Sequence, residues 1–134
     1  MADQIRGQAA VPSSLTATQA DGAVGKIICF DAGNNAFKIG GDATIAVGND
    51  KGAGYVLDID GPRENWTIVR SGYVDDVTIT GAIDVSADGV NLSFNASGQI
   101  VKGAAAENTI GQLAEVADVA DGAKARVFFN FTQS

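Results

Sequence analysis

Short apolar runs separated by glycine- and Asx-rich clusters make up most of this chain, and their lengths fit strands, not helices. Val24 to Phe30 is the first run. The turn cluster Asp31-Ala32-Gly33-Asn34-Asn35 follows, and Ala36 to Ile39 returns as the second arm of a hairpin. Thr44 to Val47 predicts a brief strand, Gly48 to Gly54 an exposed loop, and Tyr55 to Asp60 a further strand. After the turn Gly61-Pro62-Arg63-Glu64-Asn65, Trp66 to Val74 reads as one longer strand. Asp75-Asp76 predicts a bend before the alternating Val77-Thr78-Ile79-Thr80, a pattern that Ile83-Asp84-Val85 prolongs as strand. Ala87-Asp88-Gly89 is a turn signature, and Ala104 to Asn108 fits one helical turn or a loop. Ile110 to Val116 and Lys124 to Phe131 complete the strands. Val116, Val119 and the nearby glycine weigh against a helix over Ala114 to Ala120.

The second half of this pattern restates the first. Gly25-Lys26-Ile27-Ile28-Cys29-Phe30-Asp31-Ala32 aligns with Gly89-Val90-Asn91-Leu92-Ser93-Phe94-Asn95-Ala96. Phe37-Lys38-Ile39 then answers Ile100-Val101-Lys102, and the Gly-led strand from Gly54 answers the one from Gly111. Trp66-Thr67-Ile68-Val69 closes the first copy as Arg126-Val127-Phe128-Phe129 closes the second. Four matches in one order define a degenerate two-copy β module. The expected fold is all-β, a compact β-barrel-like or small β-sandwich domain with this internal repeat. It spans residues 23–134, preceded by an extended N-terminal arm, residues 1–22, that is polar, small-residue-rich and without a period.

Composition narrows the function. The chain has 134 residues, 46% of them hydrophobic and 19% charged, enough to bury a core. Its net charge of −7 gives no surplus to neutralise phosphates, so neither nucleic acid nor an anionic membrane is an expected partner. The first residues lack an apolar leader, which predicts synthesis in a cytoplasm. Histidine is absent, removing the Ser-His-Asp and Cys-His nucleophile systems and the commonest general base near neutrality. Cys29 stands alone inside an apolar run and reads as a small buried residue.

The remaining candidate chemistry has plainer explanations. In Gly48-Asn49-Asp50-Lys51-Gly52-Ala53-Gly54 the lysine precedes its glycine and a strand follows, whereas a phosphate loop needs the reverse order and a helix. Asp58-Ile59-Asp60-Gly61 lacks the later carboxylates of a calcium loop, and Pro62 interrupts it. Asp75-Asp76 and the Asp-Gly pairs supply carboxylates for a glycosidase, but they sit where turns want them. The four Asn-x-Ser/Thr matches, such as Asn91-Leu92-Ser93, are chance matches in a chain without a leader. Alternation puts Phe129 and Phe131 on one face and Phe128 on the other; one face must be core, and the aromatic on whichever is left favours an oligomer interface there. No enzyme, cofactor or metal site is expected.

The second copy resembles the small head-decoration, or capsid cement, proteins of tailed bacteriophages. The resemblance runs from Gly72-Tyr73-Val74 through Ile83-Asp84-Val85 and Gly89 to Asn95-Ala96-Ser97-Gly98-Gln99-Ile100-Val101. It continues over Asn108 to Val116 and Gly122 to Phe128, the first copy matching more loosely. It implies a β-barrel-like protomer, usually a homotrimer, seated outside the head at three-fold and quasi-three-fold positions. There it would clamp neighbouring units of the major capsid protein after expansion. The implied location is the virion, on the capsid's outer surface. The N-terminal arm pairs with the lattice in some relatives, which makes Ile5, Arg6, Val11, Pro12 and Leu15 candidate capsid contacts. Arg63 and Trp66 join them, because the Arg63-Glu64-Asn65-Trp66 loop is bulkier than its second-copy counterpart. The alternative is a non-catalytic ligand- or carbohydrate-binding β module of a fibre or surface protein, with Trp66 and Tyr55 as an exposed stacking platform.

Overall fold

The computed structural model of the chain describes residues 24–31, 36–44, 50–60, 65–104 and 108–131. Among these residues nine strands, β1 to β9, lie at Ile27–Asp31, Ala36–Ile39, Gly52–Asp60, Asn65–Val69, Ser71–Thr78, Asn91–Phe94, Ile100–Lys102, Gly111–Leu113 and Lys124–Asn130. Among the described residues one helical turn, α1, spans Val85–Asp88. The strands form two antiparallel sheets, ordered β2-β1-β3-β4 and β5-β9-β8-β6-β7. The all-β expectation holds.

The sequence repeat reappears as strand pairing. Leaving out β5, the second sheet has the order of the first, with β6, β7, β8 and β9 in the places of β1, β2, β3 and β4. Ile28 faces Ile39 and Gly54, and its counterpart Leu92 faces Lys102 and Gly111. The two glycines have one cause, the close approach of a neighbouring strand. A Cβ on Gly54 would meet the Ile68 side chain, and one on Gly111 would meet the Phe128 carbonyl and lie 3.0 Å from Phe129 Cα. At the last strand the register corrects the sequence alignment. Tyr55 pairs with Val69 as Gln112 pairs with Phe128, so Val69 corresponds to Phe128 and not to Phe129.

The second sheet curls into a half-barrel. Beyond β5, Ile79 bridges in parallel to Ile100 of β7, and the Thr80 amide donates to the Ile100 carbonyl at 2.8 Å. This brings the two ends of the sheet together and covers part of an edge that would otherwise be open to pairing. Leu92, Phe94, Ile100, Leu113, Val127 and Phe129 fill its concave side. Ile27, Cys29, Tyr55 and Val69 of the first sheet join them in one core. Tyr55 stacks on Phe129 at 4.8 Å, and Phe129 on Phe131 at 5.5 Å. Each such aromatic pair contributes roughly 0.5–1.5 kcal/mol beyond its area. The opposite face of the first sheet carries a second cluster, Ile28, Val56 and Ile68.

Several expected elements differ. The run Trp66 to Val74 is two strands in different sheets, because the chain crosses at Arg70. Its guanidinium donates to the Ala53 carbonyl at 2.7 Å, and its own carbonyl accepts from the Phe131 amide at 2.9 Å. Asp75 and Asp76 make a bulge within β5, with Asp76 at φ 60°, and not a bend before a new strand. Ile83 keeps a single bridge to Val119, whereas Val85 starts α1, because Asp84 caps it and diverts the strand. The expected strand Ile110 to Val116 stops at Leu113. β3 begins at Gly52, inside the expected loop. Most of Thr44 to Val47 and the middle of Ala104 to Asn108 lie outside the described residues, as does the whole arm.

Candidate functional site

Of the residues singled out for partner binding, Ile5, Arg6, Val11, Pro12, Leu15 and Arg63 lie outside the described residues. Trp66 sits in β4, paired with Ile59. Tyr55, the other half of the expected stacking platform, is buried against Phe129, and burial pushes its phenol pKa up. An exposed platform built on Tyr55 is therefore ruled out by its place in the core.

Six of the described carboxylates bond backbone amides of turns, loops or the helix start. Asp84 caps α1 by accepting from the Ser86 amide at 3.1 Å, and Asp88 returns the contact by accepting from the Asp84 amide at 3.0 Å. That bond and the Lys102 ammonium at 3.2 Å hold the Asp88 carboxyl below the usual carboxylate range. Asp118 accepts from the Val85 amide at 2.9 Å, and Asp121 from the Gly81 amide at 2.7 Å. Near the first sheet, Asp50 accepts from the Asp42 amide at 2.9 Å and from Lys38 at 3.1 Å. Asp42 accepts from the Thr44 amide at 3.0 Å, and Thr44 lowers its pKa. Among the described residues, no cluster of three or more His, Cys, Asp or Glu side chains is arranged to hold a metal ion.

Cys29 is buried, and burial, reinforced by the nearby Asp50 charge, pushes its thiol up to about 12. It is neutral at physiological pH and a poor nucleophile. A shallow depression of about 150 Å³ lies between the 115–119 segment and β9, lined by Leu113, Glu115, Val119 and Arg126 among others. Drug-sized ligands occupy pockets of roughly 300 Å³ and more.

What the described surface offers is a flat patch on the convex side of the second sheet. Tyr73 on β5 faces Phe128 on β9, their rings 5.0 Å apart, and Tyr73 is 46% exposed. The Arg126 guanidinium lies 4.8 Å from the Tyr73 ring centre and 3.3 Å from Asp75. Beside them Gln112 donates to Asn91 at 3.1 Å. Aromatic and arginine side chains flanked by amides are the chemistry of a protein interface. Sequence reasoning put Phe128 on the face opposite Phe129 and Phe131 but missed Tyr73 and Arg126, since only the β5–β9 register places them together. No protein-family model matches the chain, and no curated protein sequence matches it.

Proposed function

We propose that the chain is a structural virion protein that decorates the outside of a tailed-phage head and cements neighbouring capsomers of the expanded capsid. In this reading it acts as a homotrimer on the major capsid protein and carries out no catalysis. The observation that carries the reading is the strand-and-glycine pattern of the second copy, from Gly72 through Phe128, and its likeness to capsid cement proteins. Two features support it. The carboxylates of Asp84, Asp118 and Asp121 serve turns and caps, and the patch around Tyr73 and Arg126 has the composition of a protein-binding surface. A protein of this kind gains from many repeated weak contacts, since lattice symmetry multiplies a modest affinity at each site. Its −7 charge keeps it soluble before assembly.

The test is co-sedimentation of the purified protein with expanded and with unexpanded heads of the phage that encodes it, followed by electron cryomicroscopy of the bound particles. Saturable binding to expanded heads, with added density at three-fold and quasi-three-fold positions, is the expected result. A protein that leaves expanded heads bare is not a cement protein.

A further inference from the structure

The second sheet has a strand with no counterpart in the first among the described residues. β5 pairs with the outer edge of β9, whereas β4, which holds the place of β9, pairs there with β3 alone. With Gly25 set over Gly89 and Phe30 over Phe94, the stretch Ser71 to Thr80 falls on Gly7 to Thr16. That stretch is β5 and the two residues after it, Ile79-Thr80, which close the second sheet onto Ile100. Leu15-Thr16 stand in their place. Phe37 holds the place of Ile100, since Phe30 faces Phe37 as Phe94 faces Ile100.

We propose that residues 7–16, which lie outside the described ones, pair antiparallel with the open edge of β4 in their own molecule, and that Leu15 closes over Phe37. The register carries over from β5 and β9, where Tyr73 faces Phe128, Val74 faces Val127 and Thr78 faces Lys124. It sets Ala9 opposite Val69, Ala10 opposite Ile68 and Ser14 opposite Asn65. Pro12 falls on Asp76, inside the bulge that interrupts the β5 ladder, one of the few places where a sheet accepts proline. The surface beneath is apolar. Leu92, Leu113 and Val127 line the concave side of the second sheet, where β5 and its extension bury Val74, Val77 and Ile79. Their counterparts in the first sheet are Ile28, Val56 and Ile68, which are 0%, 0% and 3% exposed. The described apolar residues packed on these three, Phe37, Ile39 and Ala53, are themselves partly exposed, which accords with a further cover from this chain. The reach is sufficient within one molecule. The Gly25 amide donates to the Val56 carbonyl at 2.8 Å, so the chain enters β1 from beside β3. The far side of β4 is three strand spacings away, roughly 15 Å, with about as much again along the strands. Residues 15–24 span about 30 Å when extended.

This contact goes beyond the capsid reading and is tested on the free protein. Paired cysteines in the full chain, oxidised with glutathione disulfide, report it. Ser14→Cys with Asn65→Cys should close a disulfide within one chain at least about tenfold faster than Gln8→Cys with Asn65→Cys, a pair that the register holds apart. Non-reducing electrophoresis and intact mass read the product, and Cys29 stays out of the reaction because it is buried. Equal rates for the two pairs, or a disulfide that links two chains, overturns the proposal. Should the Asn65→Cys chains fail to fold, Leu15→Asp carries the test. It should lower the urea midpoint by more than Gln8→Asp does, because it sets a charge over the Ile28, Val56 and Ile68 cluster. Equal midpoints for these two variants overturn the proposal as well.

Discussion

The two sheets share a strand order and a pairing register, yet they use equivalent positions in opposite ways. Phe30 and Phe94 occupy matching places in β1 and β6, and one is 50% exposed while the other is 1% exposed. Tyr55 is in the core and its counterpart Gln112 is on the surface. Backbone pairing and glycine placement repeat because they are local to a sheet. Burial differs because it depends on what each sheet lies against. The second sheet curls around its own side chains, so Asn91-Leu92-Ser93-Phe94 can send Asn91 outward and Leu92 and Phe94 inward. Ser93, buried on the outer side, is satisfied by donating to the Asn108 carbonyl at 2.7 Å. The first sheet is apolar on both faces, and Ile27-Ile28-Cys29 is correspondingly an unbroken apolar run with all three residues buried.

The comparison is most directly broken by truncating the two phenylalanines. Phe94→Ala removes a ring from the concave core and should cost roughly 3–5 kcal/mol. Phe30→Ala truncates a half-exposed ring in edge contact with Phe37 and should cost under about 1 kcal/mol. Urea denaturation of the two variants measures the difference. Equal costs would mean that the first sheet's outer face is as closed as the barrel interior.

The paired glycines come next. Gly111→Ala sets a Cβ against the backbone of β9, which has no room to yield, and should destabilise by about 3 kcal/mol. Gly54→Ala meets the Ile68 side chain, which can shift at a cost, so about 1–2 kcal/mol is expected. Reversal of this order in chemical denaturation would show that β3 and β4 are held more rigidly than β8 and β9.

Much of this was legible in the chain. The repeat announced the same succession of strands twice, and alternation put Phe129 and Phe131 on one face and Phe128 on the other, though not which of the two faces is core. What stayed hidden depended on contacts distant in sequence. The strand from Trp66 looked continuous because both halves are apolar, and only the Arg70–Ala53 and Arg70–Phe131 bonds divide it between sheets. Val85 has the composition of a strand residue, but the Asp84 cap turns it into a helix start. The exposed aromatic patch was invisible for the same reason, since Tyr73, Arg126 and Gln112 meet only through the order β5-β9-β8.

The strand that the second sheet has and the first lacks among the described residues, β5, offers a smaller test. Its bulge puts Asp76 at φ 60°, a conformation that aspartate tolerates better than alanine and glycine accepts freely. Asp76→Ala should lose about 1 kcal/mol, and Asp76→Gly should be close to neutral. If thermal melts show the two variants alike, the bulge has relaxed and the left-handed residue does not define the edge.

The finest comparison is by pH. Asp88 beside the second sheet and Asp42 beside the first both titrate below their ordinary value of 3.8 in the folded protein. A depressed folded pKa adds stability above the unfolded value and loses it as pH falls through the folded one. The wild type should therefore lose stability progressively below about pH 4. Asp88→Asn and Asp42→Asn should each flatten part of that decline, seen as a smaller drop in urea midpoint on acidification. Salt separates them. Lys102 contributes to the lowering at Asp88, so its share should shrink as ionic strength rises, whereas the Thr44 hydrogen bonds that lower Asp42 should persist. An Asp88 contribution indifferent to salt would leave the Asp84 amide as its sole cause and make the two halves alike in this respect.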